Sequence, residues 1–210
     1  MTRLKSLWRI EPRCGSGNYP VLMLAALTSF AAGGCASSTP LHYYTLTEVP
    51  ASTRLSTPEG TVPVRLDRVT IPTELDRSQL VRRIDATRLQ IIDGERWAAP
   101  LEDTIRRVLS GDLAARLPAG AVANPNEPSI GEKRQSLSVD IEEFYGDSRC
   151  AVTLRAAWVL KLPDLQSSRG VEDTRVAGDD CASAAAVPGA MSQALAQLAD
   201  RLAAAIAHSQ

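Results

Sequence analysis

Two apolar periods alternate along the chain. From Pro100 to Leu117, Leu101, Ile105, Val108, Leu109 and Leu113 recur at the 3.6-residue spacing of one helix face, with Arg106, Arg107 and Ser110 opposite. Pro100 suits a first helical turn, Glu102 and Asp103 fall at the positive end of the dipole, and Pro118 stops the run. A second, alanine-rich helix is predicted from about Pro188 to Ala207. Its apolar face is Met191, Leu195, Leu198, Leu202 and Ile206.

Elsewhere the period is two. His42 to Thr47 has strong strand propensity, and residues 48–61 have the composition of a loop. Val62, Val64 and Leu66 alternate with polar neighbours, and the phase changes before Val69 and Ile71, which predicts a bulge. A hairpin is expected with arms Leu80–Asp85 and Arg88–Asp93 around Ala86-Thr87. Leu137, Val139 and Ile141 mark another strand after a polar loop over residues 118–136. Then Val152, Leu154, Ala156, Trp158, Leu160 and Leu162 line one face of a strand over Ala151–Leu162. Residues 163–170 read as its turn and Val171–Gly178 as the return strand. Strands and two amphipathic helices in this order predict one α/β domain over residues 42–208, a mixed sheet with both helices packed on it. No internal repeat is discernible.

The hairpin gives two of the four cysteines a role. Its predicted register sets Cys150 opposite Cys181, near enough at the open end for a disulfide. Two unpaired thiols are the alternative. Absence of a C-x-x-C spacing argues against a redox pair.

The first 34 residues read as an export signal. Arg3, Lys5, Arg9 and Arg13 precede a nearly uncharged run from Val21 to Ala32, and Gly33-Gly34-Cys35 follows. The run is shorter than the roughly 20 residues that span a bilayer, so a permanent transmembrane helix fits less well. Ala32-Gly33-Gly34-Cys35 resembles the lipobox of bacterial lipoproteins, although Ala32 stands where that pattern most often has Leu. The resemblance implies that Cys35 is acylated, by palmitate among other chains, and becomes the N-terminus. Residues 35–41 would then be a lipidated cysteine and a short tether. Ala36 and Ser37 follow the cysteine, and the absence of Asp at the first of these positions implies outer-membrane placement on the periplasmic face. The alternative is an ordinary cleaved signal beside a chance cysteine. An exported protein also suits an oxidised Cys150–Cys181 pair.

Composition excludes several classes. The formal net charge is −1, against the basic excess that a nucleic-acid binder needs. His42 and His208 lie near opposite ends, so a histidine-based catalytic centre or metal site is disfavoured. No phosphate-binding glycine loop, nucleophile elbow or zinc-protease signature occurs. On a regular strand Glu142 and Glu143 point to opposite faces, which argues against a shared acid–base site. These readings predict no catalytic residues, no metal and no cofactor. Arg77, Arg82 and Arg83, with Asp76 and Asp85 beside them, are candidates for contact with an acidic partner or a lipid headgroup. A charge-balanced, solvated hairpin is the plainer reading of the same residues.

The lipobox cysteine is followed by His42-Tyr-Tyr-Thr-Leu46, the stretch Val69-Thr-Ile-Pro-Thr-Glu-Leu-Asp-Arg-Ser-Gln-Leu-Val-Arg-Arg83, and Arg96-Trp-Ala-Ala-Pro-Leu101. In that order the segments resemble the PqiC-like family of ABC-type transport auxiliary lipoproteins, the membrane-integrity-associated transporter subunits. The likeness extends over nearly the whole mature chain. It implies a non-enzymatic subunit working with an MCE-domain protein, a permease and an ATPase to move phospholipid or other hydrophobic molecules between two membranes. Direct phospholipid contact and homo-oligomerisation are compatible with it and not required by it. A structural or assembly-factor envelope lipoprotein without lipid traffic is the alternative from another class.

Overall fold

A computed structural model describes residues 40–56, 62–123, 134–164, 166–179, 181, 183 and 185–209. The export signal and Cys35 lie outside the described residues. The elements in order are β1 (His42–Tyr44), β2 (Val64–Thr70), a single 3₁₀ turn (Thr73–Leu75), β3 (Gln79–Arg83), β4 (Leu89–Trp97), α1 (Leu101–Arg116), β5 (Gln135–Gly146), β6 (Val152–Lys161), β7 (Ser167–Val176) and α2 (Ala186–His208). All seven strands join one mixed sheet, β1-β4-β3-β5-β6-β7, with β2 also lying along β5.

β5 organises this sheet because it is long enough for three partners. Its first half runs parallel to β2, its last residue Gly146 meets Arg82 of β3, and β6 runs antiparallel along its other edge. The predicted phase change in β2 is a register shift between Leu66 and Arg68 that keeps Leu66 and Val69 buried.

Both helices cover one face of the sheet. α1 packs on β2, α2 on β5, β6 and β7, and the helices pack on each other. Val152, Leu154, Ala156, Trp158 and Leu160 of β6 are buried beneath them. All the apolar face positions predicted for α1 and α2 are buried too. The other face is open and polar. Along it Arg155 of β6 pairs with Glu142 of β5 (2.7 Å) and Asp173 of β7 (3.2 Å).

There are three local differences from the sequence reading. The β6–β7 turn is shorter than predicted, because Leu162 N–H donates to the Gln166 carbonyl and Ser167 already opposes Lys161. The polar run Ser167-Ser-Arg-Gly170 looks like a turn but is edge strand, where a solvated face tolerates such residues. Gly170 is needed there, since a Cβ would stand 2.8 Å from the Trp158 ring across the ladder. Secondly, β1 stops at Tyr44, not Thr47. The chain leaves the sheet so that buried Leu46 and the segment after it can cross the helices. Thr47 N–H donates to Ser192 Oγ, Val49 N–H to Asp112 Oδ1 and Leu55 N–H to the Arg116 carbonyl. The third difference is Ser110, assigned to the solvent side of α1 but buried; Asp112 and Arg116, which the strap bonds, are buried too.

Candidate functional site

Three segments distant in sequence meet at one corner of the sheet. β1 lies parallel to the end of β4, with Tyr43 opposite Arg96 and Tyr44 opposite Trp97. Ala98 N–H donates to the Tyr44 carbonyl (2.8 Å) and Trp97 N–H to the Ser78 carbonyl (2.7 Å). Arg96 Nη1 adds a bond to Ser78 Oγ at 3.1 Å. Ile71-Pro72 steers the chain into the 3₁₀ turn, which buries Leu75 and returns through Asp76-Arg77-Ser78 into β3. A groove of about 340 Å³ lies between residues 76–78 and 97–101, with the buried Trp97 and Leu101 among its walls. Arg77 lines it and is exposed.

The three candidate arginines do not form one strip. Arg82 and Arg83 are consecutive on β3, so their side chains leave opposite faces of the sheet. Arg82 Nη2 donates to Gln90 Oε1 at 2.7 Å, and its charge acts on the Cys150 thiol. Arg83 lies over the Tyr145 ring, 4.5 Å from its centroid, and 3.6 Å from Glu143. Tyr145 Oη–H donates to Glu74 Oε1 at 2.6 Å. That bond holds the Glu74 carboxyl below its ordinary range, with Arg83 and Arg77 assisting, while burial and the same bond push the Tyr145 hydroxyl up. Arg77 and Arg83 therefore share one acidic neighbour, Glu74, and Arg82 belongs elsewhere.

Tyr145 and Glu74 are members of this cluster that the sequence pattern does not single out, and Glu143 joins it through Arg83. Unbroken alternation from Leu137, Val139 and Ile141 would turn Tyr145 toward the helices. The ladder slips between Ile141 and Glu143, so Phe144 takes the core position and Tyr145 the open face. The same bulge brings Glu142 and Glu143 to that face together, each with its own arginine, Arg155 and Arg83. Beside them a cleft of about 410 Å³ is lined by Arg83, Glu143, Tyr145, Asp147 and Arg175 among others. Asp147 accepts from Arg175 Nη2 at 2.8 Å and from the N–H groups of Arg149 and Ala151. Every acid there is held by a cation or an amide, an arrangement suited to polar recognition. Among the described residues no cluster of three or more His, Cys, Asp or Glu is set to hold a metal.

The observed β6–β7 ladder puts Gly178, not Cys181, level with Cys150, and Gly178 N–H donates to the Cys150 carbonyl. Cys150 is buried at the β5–β6 turn with φ +57°, and Cys181 is exposed with its Sγ donating to the Arg149 carbonyl at 2.8 Å. The chain beyond Gly178 nevertheless returns, since a hydrogen bond with Cys181, aided by burial, raises the Cys150 thiol above its ordinary range. The residues are neighbours through this return and not through strand register.

Comparison with known proteins gives concordant matches. Residues 44–203 match the family model for the ABC-type transport auxiliary lipoprotein component. Over 138 residues the chain is 27% identical to the intermembrane transport lipoprotein PqiC of Escherichia coli K12, covering 65% of this chain and 72% of that protein. The protein of the same name from Shigella flexneri matches equally. Among solved structures, an uncharacterised protein aligns with TM-score 0.60 and 23% identity, covering 81% of this chain and 99% of its own. A Xanthomonas campestris protein aligns with TM-score 0.59 and 18% identity, over 80% of this chain and 95% of its own. These two likenesses concern the fold.

Proposed function

The chain belongs to the family of ABC-type transport auxiliary lipoproteins, and from that membership we propose a non-enzymatic, outer-membrane-anchored subunit of an intermembrane lipid-transport assembly. Its partner is an MCE-domain protein, its cargo is phospholipid or a similar hydrophobic molecule, and its anchor is acylated Cys35. The observation that carries this reading is the match over residues 44–203, a stretch that begins at the end of β1 and contains the other two segments meeting at the Trp97 corner. PqiC, named for intermembrane transport, supports the same direction.

The corner is the proposed docking face. Trp97, Ser78 and Tyr44 are tied by main-chain hydrogen bonds, so the groove has a fixed shape, and Arg77 offers a forked cation at its edge. Arg83 is ill suited to probe docking, because its reversal would break the Tyr145–Glu143 cluster. Arg77→Glu is the suitable variant. It is expected to reduce co-purification with the MCE protein encoded by the same host while the melting temperature stays nearly constant. Unchanged co-purification would remove this groove as the docking face. Cys35→Ala is expected to abolish fatty-acid labelling and release the protein from the membrane fraction.

A further inference from the structure

The direction in which the chain enters the sheet determines which edge lies nearest the tether. β1 is parallel to β4 and pairs only with Glu95, Arg96 and Trp97. Upstream of His42 the chain therefore arrives from the side on which β4 begins, where Leu89 follows the β3–β4 hairpin tip. Cys35 to Leu41 is seven residues, so an anchor at Cys35 holds this edge within about 25 Å of its lipid. Among the described residues, no strand pairs with Leu89–Gly94 on the edge away from β3.

That edge is also where apolar surface is exposed. The exposed large hydrophobic side chains among the described residues are Leu41 (51%), Tyr43 (62%), Ile84 (37%), Leu89 (41%), Ile91 (45%) and Val171. The first five lie on β1, on the residue entering it, or on the β3–β4 hairpin; Val171 alone lies on β7, at the opposite edge. Charge at the hairpin tip is internally balanced, with Arg88 Nε on Asp85 Oδ2 at 2.5 Å. An apolar edge with a tyrosine and a neutralised tip matches the chemistry of a bilayer interface better than that of a polyanion.

We infer that the β1 and β3–β4 hairpin edge rests on the membrane that carries the anchor, with Leu41, Tyr43, Leu89 and Ile91 in the headgroup region and β7 turned away from it. This deepens the lipoprotein reading and rests on it, since only acylation at Cys35 brings a bilayer within that reach. A short acyl tether alone would let the domain tumble; apolar edge contact gives it one orientation.

The test uses the full acylated mature protein in phosphatidylcholine vesicles, in a Cys181→Ser background. Leu89→Cys or Val171→Cys carries an environment-sensitive fluorophore. The probe at residue 89 is expected to shift to the blue and to be quenched by spin-labelled phosphatidylcholine at least about twofold more than the probe at residue 171. Equal quenching at the two positions, with the protein vesicle-bound, would overturn the orientation and leave the lipoprotein reading standing. Shielding at residue 89 that depends on protein density, and not on lipid, would assign the edge to a second copy and also overturn it. If the protein carries no acyl group and does not float with vesicles, both readings fall together.

Discussion

Asp112 is a charged residue in the sequence and a buried one in the fold. It lies on α1 with no exposed surface, its Oδ1 accepting from Val49 N–H at 2.8 Å. Burial pushes its carboxyl up from 3.8 to about 6, against the opposing pull of Val49 N–H and Arg116. The folded chain thus holds a proton, between these two values, that the unfolded chain has released. The stability due to this proton is complete below about pH 4 and is lost as pH rises through about 6. Asp112→Asn is expected to flatten the melting temperature between these pH values; an unaltered slope would show that another group titrates. Tyr145→Phe removes one bond to Glu74 and should cost about 1 kcal/mol in denaturant unfolding, with the Glu74 titration moving upward. Alternation along β3 already separates Arg82 from Arg83 in the sequence, because neighbouring strand residues leave opposite faces. Tyr145 was not legible in that way, since its face depends on a bulge within two consecutive glutamates that the hydrophobic pattern does not mark.

At the scale of elements, the β6–β7 hairpin shows how pattern and register separate. The strands were legible from apolar alternation in β6, whereas the register depends on where the turn closes. Ser167, Ser168, Arg169 and Gly170 look like turn residues, yet they pair with β6 because β7 is an edge and Trp158 requires a glycine opposite. Gly170→Ala is expected to destabilise the fold by about 1–3 kcal/mol through overlap with the Trp158 ring. Cys150 and Cys181 remain proposed disulfide partners, now through the return of the chain after Gly178. If they join in protein exported to an oxidising compartment, non-reducing intact mass will show both blocked to alkylation, and Cys181→Ser will cost roughly 3–4 kcal/mol. Two alkylated thiols in such protein would contradict the bridge. The helices were legible almost to the residue from their 3.6 period. The strap over them was not, because its ties run from backbone N–H groups to Ser192 and Asp112, which no local pattern announces.

Among the described residues the domain is a sheet with one face roofed by α1 and α2 and the other faced with ion pairs. Its motif segments gather at the β1 corner, and all the exposed large apolar side chains among the described residues except Val171 follow the adjoining edge. This separation suits a subunit that faces lipid on one side and a protein partner at its corner. The α/β class and both helices follow from periodicity and from the order of elements. The parallel β2–β5 and β1–β4 pairings come from tertiary packing that the linear pattern leaves open. Family membership joins this architecture to transport, and the central claim is a physical partnership with an MCE-domain protein. Affinity purification of the protein from detergent-solubilised envelopes of its own host, followed by mass spectrometry, tests it most directly. The predicted result is stoichiometric recovery of the MCE protein with wild type and reduced recovery with Arg77→Glu. Purification of the lipoprotein without any MCE protein, from a host that expresses one, would contradict it.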